Sequence, residues 1–236
     1  MFVSGERWDE RGVPIGLGGF VLALQGFGKW VGWNVGFIVP AMTDAAESVV
    51  NGMSPSLRNS PFANSGIVTE VRLADTEPLK AEWGELAGLR FQEAFERSAR
   101  QFGGGRQVAP AQRVTDFVAG RESGSLPASS YIPGLIPSRL DRWMPDFIAG
   151  SLRQGLQEFG RRMRGFVTDE AIVAGVESRT SSPVRIPRDG TTLMHPEIEG
   201  LFPAGEGAGY AGGIVSAALD GQRLAEAVRD YIKRGR

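Results

Sequence analysis

Apolar residues recur at helical spacing in three places along the chain. Phe91, Phe95, Ala99 and Phe102 form one stripe, and the glycines at 103–105 end it, which predicts an amphipathic helix over 89–102. Ile148, Leu152, Leu156, Phe159 and Met163 form a second, with Pro145 suited to its first turn and Gly165 placed to close it. A third helix is expected over 214–232, where Val215, Ala218, Ala225 and Val228 are available to one face. Short apolar runs at 37–40, 48–50, 66–71, 172–176, 184–186 and 201–204 read as strands. Between them, 51–56 and 178–183 carry turn chemistry, and 59–65 reads as a loop of amide and hydroxyl side chains anchored by Phe62. The stretch 108–137, rich in proline, serine and glycine, reads as irregular chain, either ordered or a mobile excursion. Together the elements predict an α/β protein of mixed α+β character.

Composition narrows the chemistry. With 42% hydrophobic residues, a chain of 236 can bury a core. Its 26 basic residues are matched by 27 acidic ones, so no overall field draws it to nucleic acid or an anionic bilayer, and neither partner is expected. Arg153, Arg161, Arg162 and Arg164 cluster on the second helix without interleaved aromatics and read as a solvated face. The absence of cysteine excludes a redox dithiol, a cysteine zinc site and a disulfide, so electron chemistry must use a cofactor. The charged start, residues 1–10, does not read as a secretory signal, and cytoplasm is the expected compartment.

The segment 16–39 is long and apolar enough to cross a bilayer, with Lys29 its only charge. Glycines at 16, 18, 19, 26, 28, 32 and 36 interrupt it, which favours a buried strand-and-turn segment over a span. Gly16-Leu-Gly-Gly-Phe-Val21 lacks the third glycine of a dinucleotide-binding turn, and no other early segment supplies one. His195, the only histidine, lies beside Pro196 and reads as structural rather than as a general base. Without a Gly-x-Ser-x-Gly elbow, a Ser-His-Asp hydrolase falls away.

Chemistry concentrates in residues 200–221, where the predicted strand runs through Gly205, Glu206, Gly207, Gly209, Gly212 and Gly213 into the helix beginning at Ile214. Such a turn gathers unpaired backbone N–H groups at the positive end of a helix dipole, a place suited to an anion or to developing negative charge. Ala217, Ala218 and Gly221 would let the helix lie close to a sheet, and the Glu206 carboxylate could accept hydrogen bonds from ligand hydroxyls. The same pattern also serves as a plain packing device, so both readings stand on spacing alone.

Thr180-Ser-Ser-Pro-Val-Arg-Ile-Pro-Arg188, followed by Gly200-Leu-Phe-Pro-Ala-Gly-Glu-Gly-Ala-Gly-Tyr-Ala-Gly-Gly-Ile-Val-Ser-Ala-Ala-Leu-Asp-Gly221, closely resembles the end of an uncharacterised bacterial FAD-dependent dehydrogenase family related to the glutathione-reductase-type flavoproteins. Val50-Asn-Gly-Met-Ser54, Ser60-Pro-Phe-Ala-Asn-Ser-Gly66 and Val108-Ala-Pro-Ala-Gln-Arg-Val-Thr-Asp-Phe117 are similar to its earlier blocks. The resemblance implies the C-terminal portion of a three-layer FAD/NAD(P)-binding domain carrying an inserted strand-and-helix domain. On this division, 1–35 is a divergent N-terminal segment, 36–190 the inserted substrate-side domain and 191–236 the C-terminal FAD-binding segment.

It further implies FAD as cofactor and an oxidoreductase acting on an unidentified small molecule. Gly205, Glu206 and Gly207 would meet the ribityl or pyrophosphate part of FAD. Gly212, Gly213 and Ile214 would present amides near the flavin pyrimidine ring, where the helix start stabilises negative charge. Ser182 and Arg185 either line the cofactor or tie their loop down. This sequence departs from the family in lacking the fingerprint for the adenosine half of FAD, and in carrying Trp33-Asn-Val-Gly36 and Ala204 where members often have cysteine. The implied partners are a second copy of the chain or an upstream-encoded FAD-binding chain. The alternative is a truncated fragment or interaction module that no longer binds flavin.

Overall fold

The computed structural model describes residues 16–27, 34–42, 44–57, 59–179 and 181–234, with side chains described from residue 36 onward. The charged start, the failed glycine turn's approach at 12–15, and Lys29 to Trp33 lie outside the described residues. Along the chain run β1 (Gly16–Phe27), β2 (Asn34–Val35), β3 (Phe37–Pro40), β4 (Val50–Met53) and β5 (Phe62–Arg72). Then come α1 (Leu73–Trp83), α2 (Ala87–Phe102), β6 (Ala109–Arg113), α3 (Val114–Ala119) and β7 (Leu135–Pro137). Last are α4 (Asp146–Arg162), β8 (Ile172–Glu177) and α5 (Ile214–Arg234). The elements make a mixed α/β protein, and the chain divides into two compact units.

The first unit comprises Gly19–Val71 and Phe91–Ser178. Its six-stranded sheet has the order β2-β5-β1-β8-β6-β7, antiparallel at β1–β8 and β6–β8 and parallel at β6–β7. β1 takes residues 16–27 into this sheet, and no helix among the described residues is long and apolar enough to cross a membrane. A separate β3–β4 hairpin lies over β8. Gly175 has φ +35°, and a side chain there would bring its Cβ within 3.0 Å of Val50 Cγ1 and 3.3 Å of Ala109 Cβ. The core joins Ile38 and Val50 of the hairpin to Ala109, Ala111, Ile172 and Ala174 of the sheet and to Tyr131.

All three expected helices form, α5 over Ile214–Arg234, though α5 buries Asp220 and Leu224 rather than the expected Val215, Ala218 and Ala225. α2 buries Phe95 and Ala99, while Trp143 stacks on Phe102 at 5.6 Å; α4 buries Ile148, Leu152 and Leu156. Arg161 and Arg162 are exposed as expected, but Arg153 is not a solvated charge. It pairs with Asp141 at 3.1 Å and lies over the Phe117 ring.

Elsewhere the expectations need correction. Residues 108–137 are ordered, because β6 is the buried strand between β8 and β7. Gln112 on β6 is fully buried, and its amide donates to Arg121 O at 2.6 Å while accepting from Leu140 N at 3.1 Å, so both polar ends are satisfied. Arg113 holds Ser125 O, Ser125 Oγ and Asp169 O, fixing the proline- and serine-rich chain with charge-assisted bonds. Asn51 to Met53 form β4 rather than a turn, and the expected loop at 59–65 enters β5 at Phe62. Asn64 explains both changes. Its buried amide reaches Phe37 O at 3.1 Å, and the backbone passes so close that a Cβ at Gly36 would fall 2.2 Å from Met53 O.

The second unit comprises Arg72–Arg90 and Arg179–Arg236, in which α1 and α5 are the long helices. The strands expected at 184–186 and 201–204 do not form. A strand needs a ladder of partners. Here Ile186 N donates to Ala208 O at 3.2 Å, Leu201 O accepts from His195 N at 2.8 Å, and Pro203 has no N–H to offer.

In the first unit, Glu177 ends β8 with its carboxyl accepting from the Gly52 amide, and burial pushes its pKa up from the ordinary 4.5 to about 7. The folded chain therefore keeps this proton where the unfolded chain loses it. Stability from this group is complete below about pH 4.5 and is lost as pH rises through about 7. Urea unfolding across that window should show the decline in the wild type and a flatter profile for Glu177→Gln.

Candidate functional site

The polypeptide after Pro203 turns sharply because two glycines take left-handed backbone conformations, Gly205 at φ +66° and Gly209 at φ +82°. Gly209 N donates to Glu206 O and Tyr210 N to Gly205 O, each at 2.9 Å, closing the turn on itself. At Gly209 a Cβ would also strike Val184 O at 2.8 Å and Arg185 Cα at 3.1 Å. Glycine is thus required there on two counts.

A buried ion pair holds this turn against α5. Arg188 and Asp220 have side chains only 9% and 8% exposed and meet at 2.9 and 3.1 Å in a two-pronged contact. Asp220 Oδ2 also accepts from Gly205 N at 2.8 Å, and Arg188 donates to Pro203 O at 2.9 Å. The hydrogen bonds from Arg188 hold the Asp220 carboxyl below the usual carboxylate range against the opposing effect of burial. Arg188 lies 3.6 Å and Arg185 4.4 Å from the centre of the Tyr210 ring, while the Tyr210 hydroxyl donates to Ile186 O.

The sequence-predicted residues fall into three groups. Gly205 and Gly213 have amides already used, the first by Asp220 and the second by Ser216 Oγ at 3.1 Å. Among the described residues, the amides of Glu206, Gly207, Gly212 and Ile214 have no hydrogen-bond acceptor. The Glu206 side chain is exposed and has no partner among those residues either. Ser182 and Arg185 engage the turn from behind: the Ser182 hydroxyl lies within bonding distance of Val184 O and Gly207 O, and Arg185 stacks on Tyr210.

α5 begins beside these amides and runs 21 residues, long enough for its N-terminal end to carry the positive pole of a helix dipole. Its first turn is bare, with Ile214 92% and Val215 72% exposed. Tyr210, Arg185 and Arg188 also border a cleft of about 530 Å³, lined further by Asp189, Arg223, Glu226 and Asp230. Arg185 is the one predicted residue that reaches it, and its mixed charge suits no single ionic ligand. His195 is buried and structural, its Nδ1 accepting from Glu197 N and Ile198 N at 3.1 and 3.2 Å. Sequence reasoning passed over Arg188, Tyr210 and Asp220. The available signal was an acid at position 220 on the same helix face as Ala217 and Leu224, where an unpaired charge would not be tolerated.

Residues 34–180 match the model of a family described as FAD-dependent protein, C-terminal domain-like. An uncharacterized protein of Clostridium beijerinckii is 39% identical over 193 residues, which are 81% of this chain and 35% of that protein. The chain therefore spans about a third of the length of the relative it matches.

Replacing Gly209 by alanine should cost about 1–3 kcal/mol, because an unfavourable φ and a backbone collision act together. Urea unfolding followed by circular dichroism measures it; an unchanged midpoint would show that the turn relaxes freely.

Proposed function

The chain belongs to the FAD-dependent protein, C-terminal domain-like family, and from that membership we propose that it is the C-terminal part of an FAD-dependent oxidoreductase of the glutathione-reductase-type lineage. The observation that carries the proposal is the set of amides at Glu206, Gly207, Gly212 and Ile214, together with the carboxylate of Glu206, that have no partner among the described residues. These groups fit two ends of one ligand. The Glu206 carboxylate accepts from ribityl hydroxyls, and the amides at the α5 start donate to the electron-rich pyrimidine edge of the flavin. FAD, when bound, supplies the hydride or electron transfer. The chain's own contribution is a set of fixed donors that need no reorganisation, with Gly205 and Gly213 giving the turn its shape.

In this proposal residues 36–190 form the substrate side and residues 191–236 hold the flavin end of the cofactor. The substrate is a small organic molecule, and the compartment is the cytoplasm. The adenosine half of FAD is held by a second polypeptide portion, encoded upstream or supplied as a separate chain. Exposed Ile214, Val215, Leu219 and Ile232 on α5 support such an arrangement, since apolar side chains gathered on one helix gain from being covered.

The test is a flavin titration of the purified chain, alone and together with the upstream-encoded chain, read by absorbance and fluorescence quenching. Flavin uptake is expected, with Glu206→Ala weakening it about tenfold through loss of a charge-assisted hydrogen bond. A protein that takes up no flavin in either setting would overturn the proposal.

A further inference from the structure

We infer that the Arg188–Asp220 ion pair is a positioning device that sets the shape of the 205–213 turn and, through it, the affinity for flavin. The second half of this inference rests on the function proposed above. The first half stands on the hydrogen bonds and packing around the turn.

A single guanidinium–carboxylate pair reaches the turn from four directions. Arg188 holds its entry by donating to Pro203 O. Asp220 holds its first glycine by accepting from Gly205 N, and Gly205 O in turn accepts from Tyr210 N at the exit. Arg188 also packs on the Tyr210 ring at 3.6 Å, and Asp220 itself belongs to α5, the helix whose start lies beside the unpaired amides.

The chemistry explains why two charges are kept here rather than apolar side chains. An apolar pair of equal volume would fill the space, and buried ion pairs are often no more stabilising than such a replacement. It would leave Gly205 N and Pro203 O without partners and would not fix the turn's rotation about α5. The pair's value lies in geometry: an arginine fork and a carboxylate meet in one orientation only. Both side chains are buried, and they act on the turn through Gly205 and Tyr210.

Asp220→Asn tests this, since the variant keeps an acceptor for Gly205 N but loses the charge that anchors Arg188. Leu224→Ala is the control: Leu224 is buried one turn further along the same face of α5, and its truncation removes apolar packing but no hydrogen bond to the turn. Hydrogen exchange by mass spectrometry reads the turn directly, and flavin titration reads its consequence. In Asp220→Asn, exchange of peptides covering 205–210 should rise about tenfold while those over the rest of α5 change less. Leu224→Ala should show the reverse pattern. Flavin affinity should fall about tenfold in Asp220→Asn and stay at the wild-type value in folded Leu224→Ala. Unchanged exchange over 205–210 in Asp220→Asn would overturn the inference whatever flavin does. So would equal affinity losses in the two variants. Altered exchange in a chain that never takes up flavin would sustain the positioning role and remove its coupling to the cofactor.

Discussion

The buried contact between Arg188 and Asp220 is the constraint on which the glycine turn depends. Desolvating two charges costs several kcal/mol, and the cost is offset here by the two-pronged contact between them and by further partners in Gly205 N, Pro203 O and the Tyr210 ring. Loss of either partner would leave the other buried and uncompensated. The turn inherits that intolerance. Its entry, first glycine and exit are each held by a fixed partner, which a set of amides needs if it is to present itself in advance to a ligand.

The first unit reaches order by a different route. Its strand β6, between β8 and β7, carries Ala109, Pro110 and Ala111, small or ring-closed residues that contribute little apolar area. Small side chains allow the hairpin carrying Ile38 and Val50 to sit close against the sheet, and Gly175 completes the clearance. Polar side chains then do what a larger core would do elsewhere. Gln112, Arg113 and Asn64 each satisfy backbone groups from segments distant in sequence, so the connecting chain is pinned by hydrogen bonds rather than by bulk.

These differences explain what the sequence reveals. The helices over Phe95 and Ile148 are legible because their stripes repeat at the helical period and end at glycine or proline. β6 is not, since Ala-Pro-Ala has neither alternation nor β-branched residues, and only its neighbours β7 and β8 make it a strand. The segments at 184–186 and 201–204 mislead in the opposite sense: apolar runs look like strands, but a ladder also requires a partner in register. At the candidate site, the glycines and Glu206 stand out by composition and spacing, whereas Arg188 and Asp220 are 32 residues apart and are joined only in the fold. What residue spacing cannot show is which amides the protein has already spent.

Flavin recognition by particular amides is tested most directly by backbone NMR. With the amide resonances of the glycine turn assigned, FAD added to the chain should shift those of Gly207, Gly212 and Ile214 most strongly. Gly205 and Gly209, whose N–H groups are already bonded within the protein, should respond less. Saturating FAD that leaves Gly207, Gly212 and Ile214 unmoved, or that shifts a different surface, would contradict it.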